Sequence, residues 1–172
     1  MQFLLAFEQR LAALEDWLVM VMVAIIALIL GAGVLLRYVF NDPLTWSEEF
    51  VVTLFVWSVM VGVPSALRAR MHIRIDALIL RLGAGARRVA GTLAFSAGVV
   101  ILLAAIYAGW QHTRGVWSSQ TPMLGYSMGW IFVSMPIGFA LTLFHGAVIF
   151  MKEGPDAVFR NATESVIDAA ET

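Results

Sequence analysis

The sequence predicts an all-α integral membrane protein with four transmembrane helices, an N-terminal interfacial amphipathic helix and a short interfacial helix between spans two and three. Three observations carry this. Of the 172 residues, 60% are hydrophobic and only 13% are charged, against about 25% charged in a soluble domain. Four apolar runs are each long enough to cross a hydrocarbon core, which takes roughly 20 residues at 1.5 Å rise. Basic residues then sort to alternate loops, as cytoplasmic segments require.

Residues 1–16 come first and do not form a span. Phe3, Leu4, Phe7, Leu11, Leu14 and Leu18 recur at helical spacing, while Glu8, Gln9, Glu15 and Asp16 fall off that stripe. The pattern predicts a helix lying in the interface and leading into span one, with lipid as its default contact. Span one is expected over 18–36, span two over 50–67, span three over 89–110 and span four over 128–151. Lipid offers no hydrogen-bond partner to a backbone, so each run must be helical. The acidic residues before the first run, its length and the lack of a small-residue cleavage site argue against a cleaved leader.

Trp17, Trp46, Trp110, Trp117 and Trp130 fall at or near run ends, where an amphipathic ring prefers to sit. Trp57 lies inside span two and reads as packed against a helix or lipid. Pro64 and Pro136 are expected to kink spans two and four by removing a helical donor. Between spans two and three, Ile75, Leu78, Ile79 and Leu82 repeat at i, i+3, i+4, i+7, and Gly83 and Gly85 mark the end of that second interfacial helix.

Of the 11 basic residues, nine lie in the N-terminal segment, the loop between spans two and three, and the tail 152–172; only Arg37 and Arg114 lie in the other two loops. The nine-residue side is therefore expected in the cytoplasm with both termini. Topology alone accounts for the arginine cluster, and a net charge of −1 gives no case for nucleic acid. The absence of cysteine excludes disulfide exchange and iron–sulfur ligation.

Candidate functional residues are few. A carrier of ions or charged solutes needs ionisable groups near the membrane midplane, and the runs offer none there. His145, about two turns from the end of span four, reads as a hydrogen bond to a neighbouring helix, with proton relay and haem ligation as alternatives. A haem would want a facing histidine, and His72 and His112 fall in loops on opposite sides. No cofactor, metal or catalytic group is therefore expected. Small residues recur at spacing four: Ala27 and Gly31; Ala90, Ala94 and Gly98; Gly138, Thr142 and Gly146. These permit close backbone approach, within the bundle or toward a partner.

Two polar stretches are more specific. One runs from Arg37 through Asn41-Asp42-Pro43-Leu44-Thr45-Trp46-Ser47-Glu48-Glu49 and continues with Trp57, Gly62, Ala66, Arg68, His72 and Asp76. The other is Thr121-Pro122, then Met128-Gly129-Trp130 and Pro136-Ile137-Gly138. In this order, over about residues 10–150, the chain resembles the small membrane subunit (DctQ-like) of tripartite ATP-independent periplasmic (TRAP) transporters. The resemblance implies a non-enzymatic scaffold in the bacterial inner membrane. It would brace a large membrane subunit that carries the sodium and substrate sites. A periplasmic binding protein would deliver an organic acid.

On this reading Arg37, Trp46, Glu48, Glu49, Gly98 and Gly138 are candidates for the partner interface, and His72 and Asp76 for a cytoplasmic-loop role. The local alternative also stands: Ser47 caps span two, Glu48 and Glu49 sit at the positive end of its dipole, and Arg37 pairs with one of them. His72 and Asp76, four apart, suit an intrahelical contact. An autonomous small transporter and a membrane anchor of a redox enzyme are the competing functions.

Overall fold

In the computed structural model, residues 2–69 and 84–155 are described. They form α1 (Gln2–Tyr38), α2 (Ser47–Arg68), α3 (Ala84–Gly115), the one-turn α4 (Gly129–Phe132) and α5 (Ser134–Glu153). Four helical segments, Leu4–Tyr38, Ser47–Arg68, Gly85–Gly115 and Gly129–Glu153, are long and apolar enough to cross a membrane.

The first expectation needs correcting. Residues 2–16 are not a separate interfacial helix; they continue without a break into span one as part of a 37-residue helix. At 1.5 Å per residue α1 is about 55 Å long, well beyond a hydrocarbon core of about 30 Å. The stretch contains no proline, and its first glycine is Gly31, so nothing breaks the helix at the membrane boundary. The apolar stripe also faces outward: Leu4, Phe7, Leu14 and Leu18 are exposed, whereas Glu8 and Glu15 are buried. The second interfacial helix, His72, Asp76 and the tail beyond residue 155 lie outside the described residues.

In space the helices form a row in the order α1, α2, α5, α3, with α4 beside α3 and α5. The interior of this row is built from small and hydroxyl-bearing residues. Ser58, Ser134, Thr142 and Thr113 are buried, and each returns its hydroxyl to a carbonyl three or four residues earlier in its own chain. Large apolar residues such as Val23, Leu28, Val100 and Ile101 are exposed. This inversion suits a protein whose surroundings are as apolar as leucine, where close packing rather than hydrophobic burial joins helices.

Two contacts set the spacing of the row. Pro64 is fully buried inside α2 and has no N–H to give the carbonyl four residues earlier, that of Met60. Gly138 of α5 rests against that carbonyl: a Cβ there would lie 2.5 Å from the Met60 oxygen. Farther along, Gly109 of α3 meets Pro136, whose Cδ would lie 3.2 Å from a Cβ at Gly109. Pro136 is the third residue of α5, in the first turn, where a missing donor costs little. The break in span four lies instead at Val133, between α4 and α5.

Candidate functional site: a buried charge cluster

Where α1 begins and α2 and α5 end, the three helices bring charged groups together. His145 of α5 has no exposed surface, and Glu15 and Glu8 of α1 are 2% and 7% exposed. His145 Nδ1 lies 3.0 Å from Glu8 Oε1, and Nε2 lies 3.1 Å from Glu15 Oε1. Arg68, the last residue of α2, donates through Nη1 to Glu15 Oε2. Its Nη2 donates to Asp16 Oδ1 at 2.9 Å and reaches the Ala12 carbonyl at 3.5 Å. Arg68 Nη1 also comes within 3.2 Å of His145 Nε2. Lys152 Nζ, two turns along α5, lies 3.8 Å from Glu8 Oε2. Phe7 packs edge-on against Phe144, with ring centroids 6.0 Å apart, on the flank of the cluster.

Helical geometry explains the convergence. Glu8, Ala12 and Glu15 follow an i, i+4, i+7 line and so share one face of α1. That face turns toward α5, where His145 and Lys152 are likewise seven residues apart. Charges at the margin of a bilayer persist only when paired, and each carboxylate here has a basic partner. The expectation of a hydrogen bond from His145 to a neighbouring helix is met by two carboxylates of α1. Sequence reasoning does not single out the acids, which it places only off the apolar stripe of an interfacial helix; the Glu8–Glu15 spacing is the available signal.

The opposite end of the row holds the specific polar motif. Ser47 begins α2, but its hydroxyl donates backward to the Leu44 carbonyl at 2.7 Å, so the expected forward cap is not formed. Glu49 reaches the loop before α4: its two carboxylate oxygens accept the Met123 and Leu124 backbone N–H groups at 2.8 and 2.9 Å. That loop turns at Gly125, whose φ is +69°, and closes through a single antiparallel bridge between Gln120 and Ser127. Thr53 bonds the Tyr126 hydroxyl, and Trp57 Nε1 donates to the Trp130 carbonyl at 2.9 Å.

The other candidates are more open. Arg37 and Glu48 line a groove between α1 and α2 with Ile29, Gly33 and Ser47. Among the described residues Arg37 makes no ion pair with Glu48 or Glu49. Trp46 is exposed and stands edge-on to Phe50. Gly98 of α3 has open space where a side chain would be, as does Gly31 of α1; among the described residues the small-residue stripes therefore serve packing at Gly138 but not at Gly98 or Gly31.

Residues 26–153 match the family described as tripartite ATP-independent periplasmic transporters, DctQ component. The chain belongs to the DctQ family. It is 25% identical over 156 residues to the C4-dicarboxylate TRAP transporter small permease protein DctQ of Vibrio cholerae, which covers 77% of this chain and 67% of that protein. It is 31% identical over 111 residues to the sialic acid TRAP transporter small permease protein SiaQ of Vibrio cholerae, covering 63% of this chain and 62% of that one. It is 32% identical over 131 residues to the sialic acid TRAP transporter permease protein SiaT of Haemophilus influenzae. That match takes in 76% of this chain but only 21% of the far longer permease.

The DctQ family is a family of transporter components and not of enzymes, and this member is a multi-pass membrane protein. Within it the charge cluster has a particular place. Arg68, His145 and Lys152 belong to the matched segment, while Glu8, Glu15 and Asp16 precede it. The cluster thus ties the DctQ-like core to the helical segment before it.

Proposed function

We propose that the chain is the small scaffold subunit of a TRAP-type secondary transporter in a bacterial inner membrane. It braces a large membrane subunit during sodium-coupled uptake of an organic acid, which a periplasmic binding protein delivers. The observation that carries this is the distribution of charge. Among the described residues, the ionisable groups buried within the helix row gather at one end and bind one another, which suits a rigid brace better than a carrier. The Haemophilus permease lends support to the partnership, because about a fifth of that longer chain resembles this one. Arg37, Trp46, Glu48 and the open face at Gly98 are the positions we assign to contact with the other subunits.

The test is reconstitution. The chain is expected to co-purify with a large membrane subunit in one-to-one ratio and to give no solute flux in liposomes alone. Flux from the chain by itself would make it an autonomous transporter, and a haem absorbance band would make it a redox anchor. Orientation is read separately. With both termini in the cytoplasm, a cysteine at Asn41→Cys labels from outside intact cells and one at Gln9→Cys does not; the opposite pattern inverts the topology.

A further inference from the structure

At the end of the helices opposite the buried cluster, one cation stands without an anion. From Val89 to Met151 the sequence holds a single formally charged residue, Arg114. It lies in the last turn of α3. The negative end of a helix dipole, equivalent to about half a charge, offsets it only in part. Among the described residues the Arg114 side chain has neither an ion pair nor a hydrogen bond. The acids nearest in the fold are engaged elsewhere. Glu49 of α2 commits both carboxylate oxygens to the Met123 and Leu124 N–H groups. Glu48 lines the groove between α1 and α2, and α5 stands between α2 and α3.

The surroundings of Arg114 are built rather than loose. With Trp110, Thr113 and Trp117 it lines a shallow pocket of about 310 Å³, small for a ligand site and suited to a headgroup. The Thr113 hydroxyl already donates to the Gly109 carbonyl. The Trp117 ring is seated on Gly129, where a Cβ would collide with it, and lies 5.7 Å from the Trp130 ring. Both pocket tryptophans are about half exposed. Neither indole N–H is hydrogen-bonded among the described residues. The pocket thus carries a guanidinium, two indole donors and no carboxylate.

Its depth indicates the occupant. Trp110 closes the uncharged run of span three, and tryptophan prefers the headgroup layer. We infer that this pocket binds an anionic phospholipid in the leaflet opposite the charge cluster. Arg114 holds the phosphodiester, and Trp110 and Trp117 pack on the glycerol and the first acyl carbons. A guanidinium matches two phosphate oxygens at once. The headgroup is one without an ammonium, because a zwitterionic lipid brings a second cation for which the pocket has no carboxylate. Phosphatidylglycerol meets that condition and phosphatidylethanolamine does not.

The experiment uses the full chain, labelled with fluorotryptophan, in phosphatidylcholine nanodiscs. Its six tryptophan signals are assigned by single Trp→Phe substitutions. Adding phosphatidylglycerol to the discs is expected to shift the Trp110 and Trp117 signals together and saturably, and phosphatidylethanolamine to leave them in place. Arg114→Gln is expected to melt as wild type but to need roughly tenfold more phosphatidylglycerol for the same shift, the scale of one hydrogen bond to a charged group. Arg114→Lys recovers part of that loss, keeping the charge without the fork. An equal response to both lipids, or one that Arg114→Gln does not weaken, overturns the inference. A shift caused by soluble glycerol phosphate in undoped discs also overturns it, marking a site for a free anion. So does a shift that appears only when the large membrane subunit is added, which gives the pocket to that subunit.

Discussion

Arg68→Met is expected to be among the most damaging single substitutions in the described part of the chain. Arg68 is the only permanent cation within hydrogen-bonding distance of Glu15 among the described residues, and the Glu15 side chain is 3% exposed. Methionine fills much of the volume but leaves that carboxylate buried with the His145 ring alone. Breaking a buried pair from one side costs about 3–5 kcal/mol. The neighbouring pair to Asp16 behaves differently, because the Asp16 side chain is 56% exposed. Asp16→Asn should lose no more than about 1 kcal/mol, the usual ceiling for a solvated ion pair. Thermal denaturation of the purified protein checks both. A double-mutant cycle supplies the control: Arg68→Met combined with Glu15→Gln removes the orphaned charge, so the double variant should lose less than the two single losses added together. Additive losses, or an unaffected Arg68→Met, would mean that the cluster is not a unit.

The second large effect is expected at Gly138. Alanine there places a Cβ 2.5 Å from the Met60 carbonyl oxygen. The obstructing atom is backbone, so α5 must move away from α2 instead of a side chain turning aside. Overpacking of this kind costs typically 1–3 kcal/mol, roughly, and more when nothing can yield. Gly98→Leu is the contrast. Nothing lies within 4 Å of a Cβ at Gly98, so the chain by itself should melt as wild type despite the much larger side chain. Measuring both in detergent, and then with a large membrane subunit present, separates the roles of the two glycines. Lost co-purification with unchanged melting for Gly98→Leu would place the partner on that face of α3. Equal destabilisation of the isolated chain by both substitutions would contradict the packing described for α5.

The spans were legible because the bilayer imposes one requirement, an apolar helix of sufficient length, that a sequence must meet locally. All four runs expected from composition are helical, span four with a break at Val133, and α1, α2 and α3 extend beyond their expected limits at both ends. Their order in space was not legible. Lipid-facing and helix-facing surfaces differ little in hydropathy, and glycines at spacing four occur on both: Gly138 meets a backbone, while Gly98 meets nothing. The charge cluster escaped for a related reason. Amphipathic periodicity separates apolar from polar faces, but in a membrane protein the polar face of α1 points inward. Only the positions of Arg68 and His145, 53 and 130 residues from Glu15 in sequence, show which way it turns. The motif after span one was visible as a pattern, yet the role of Glu49 depends on backbone N–H groups 74 and 75 residues away, which no local reading supplies.

The order of helices in the row bears on how the protein is made. α1 and α2 are consecutive in the chain and adjacent in space, so they can pair as soon as both have left the ribosome, and Arg68 can meet Glu15 at that moment. α3 follows but does not stand beside α2; its place is on the far side of α5, which is synthesised last. At roughly 5–20 residues per second, α3 waits in the bilayer for some seconds with a side lined by Gly109 and Phe95 open to lipid. α5 then enters between two helices already inserted, bringing Pro136 to Gly109, Phe150 to Phe95, and His145 to the waiting carboxylates. Insertion of α5 is therefore the step that turns a hairpin and a lone helix into one body, and a nascent chain released before α5 leaves α3 without the helix it packs against.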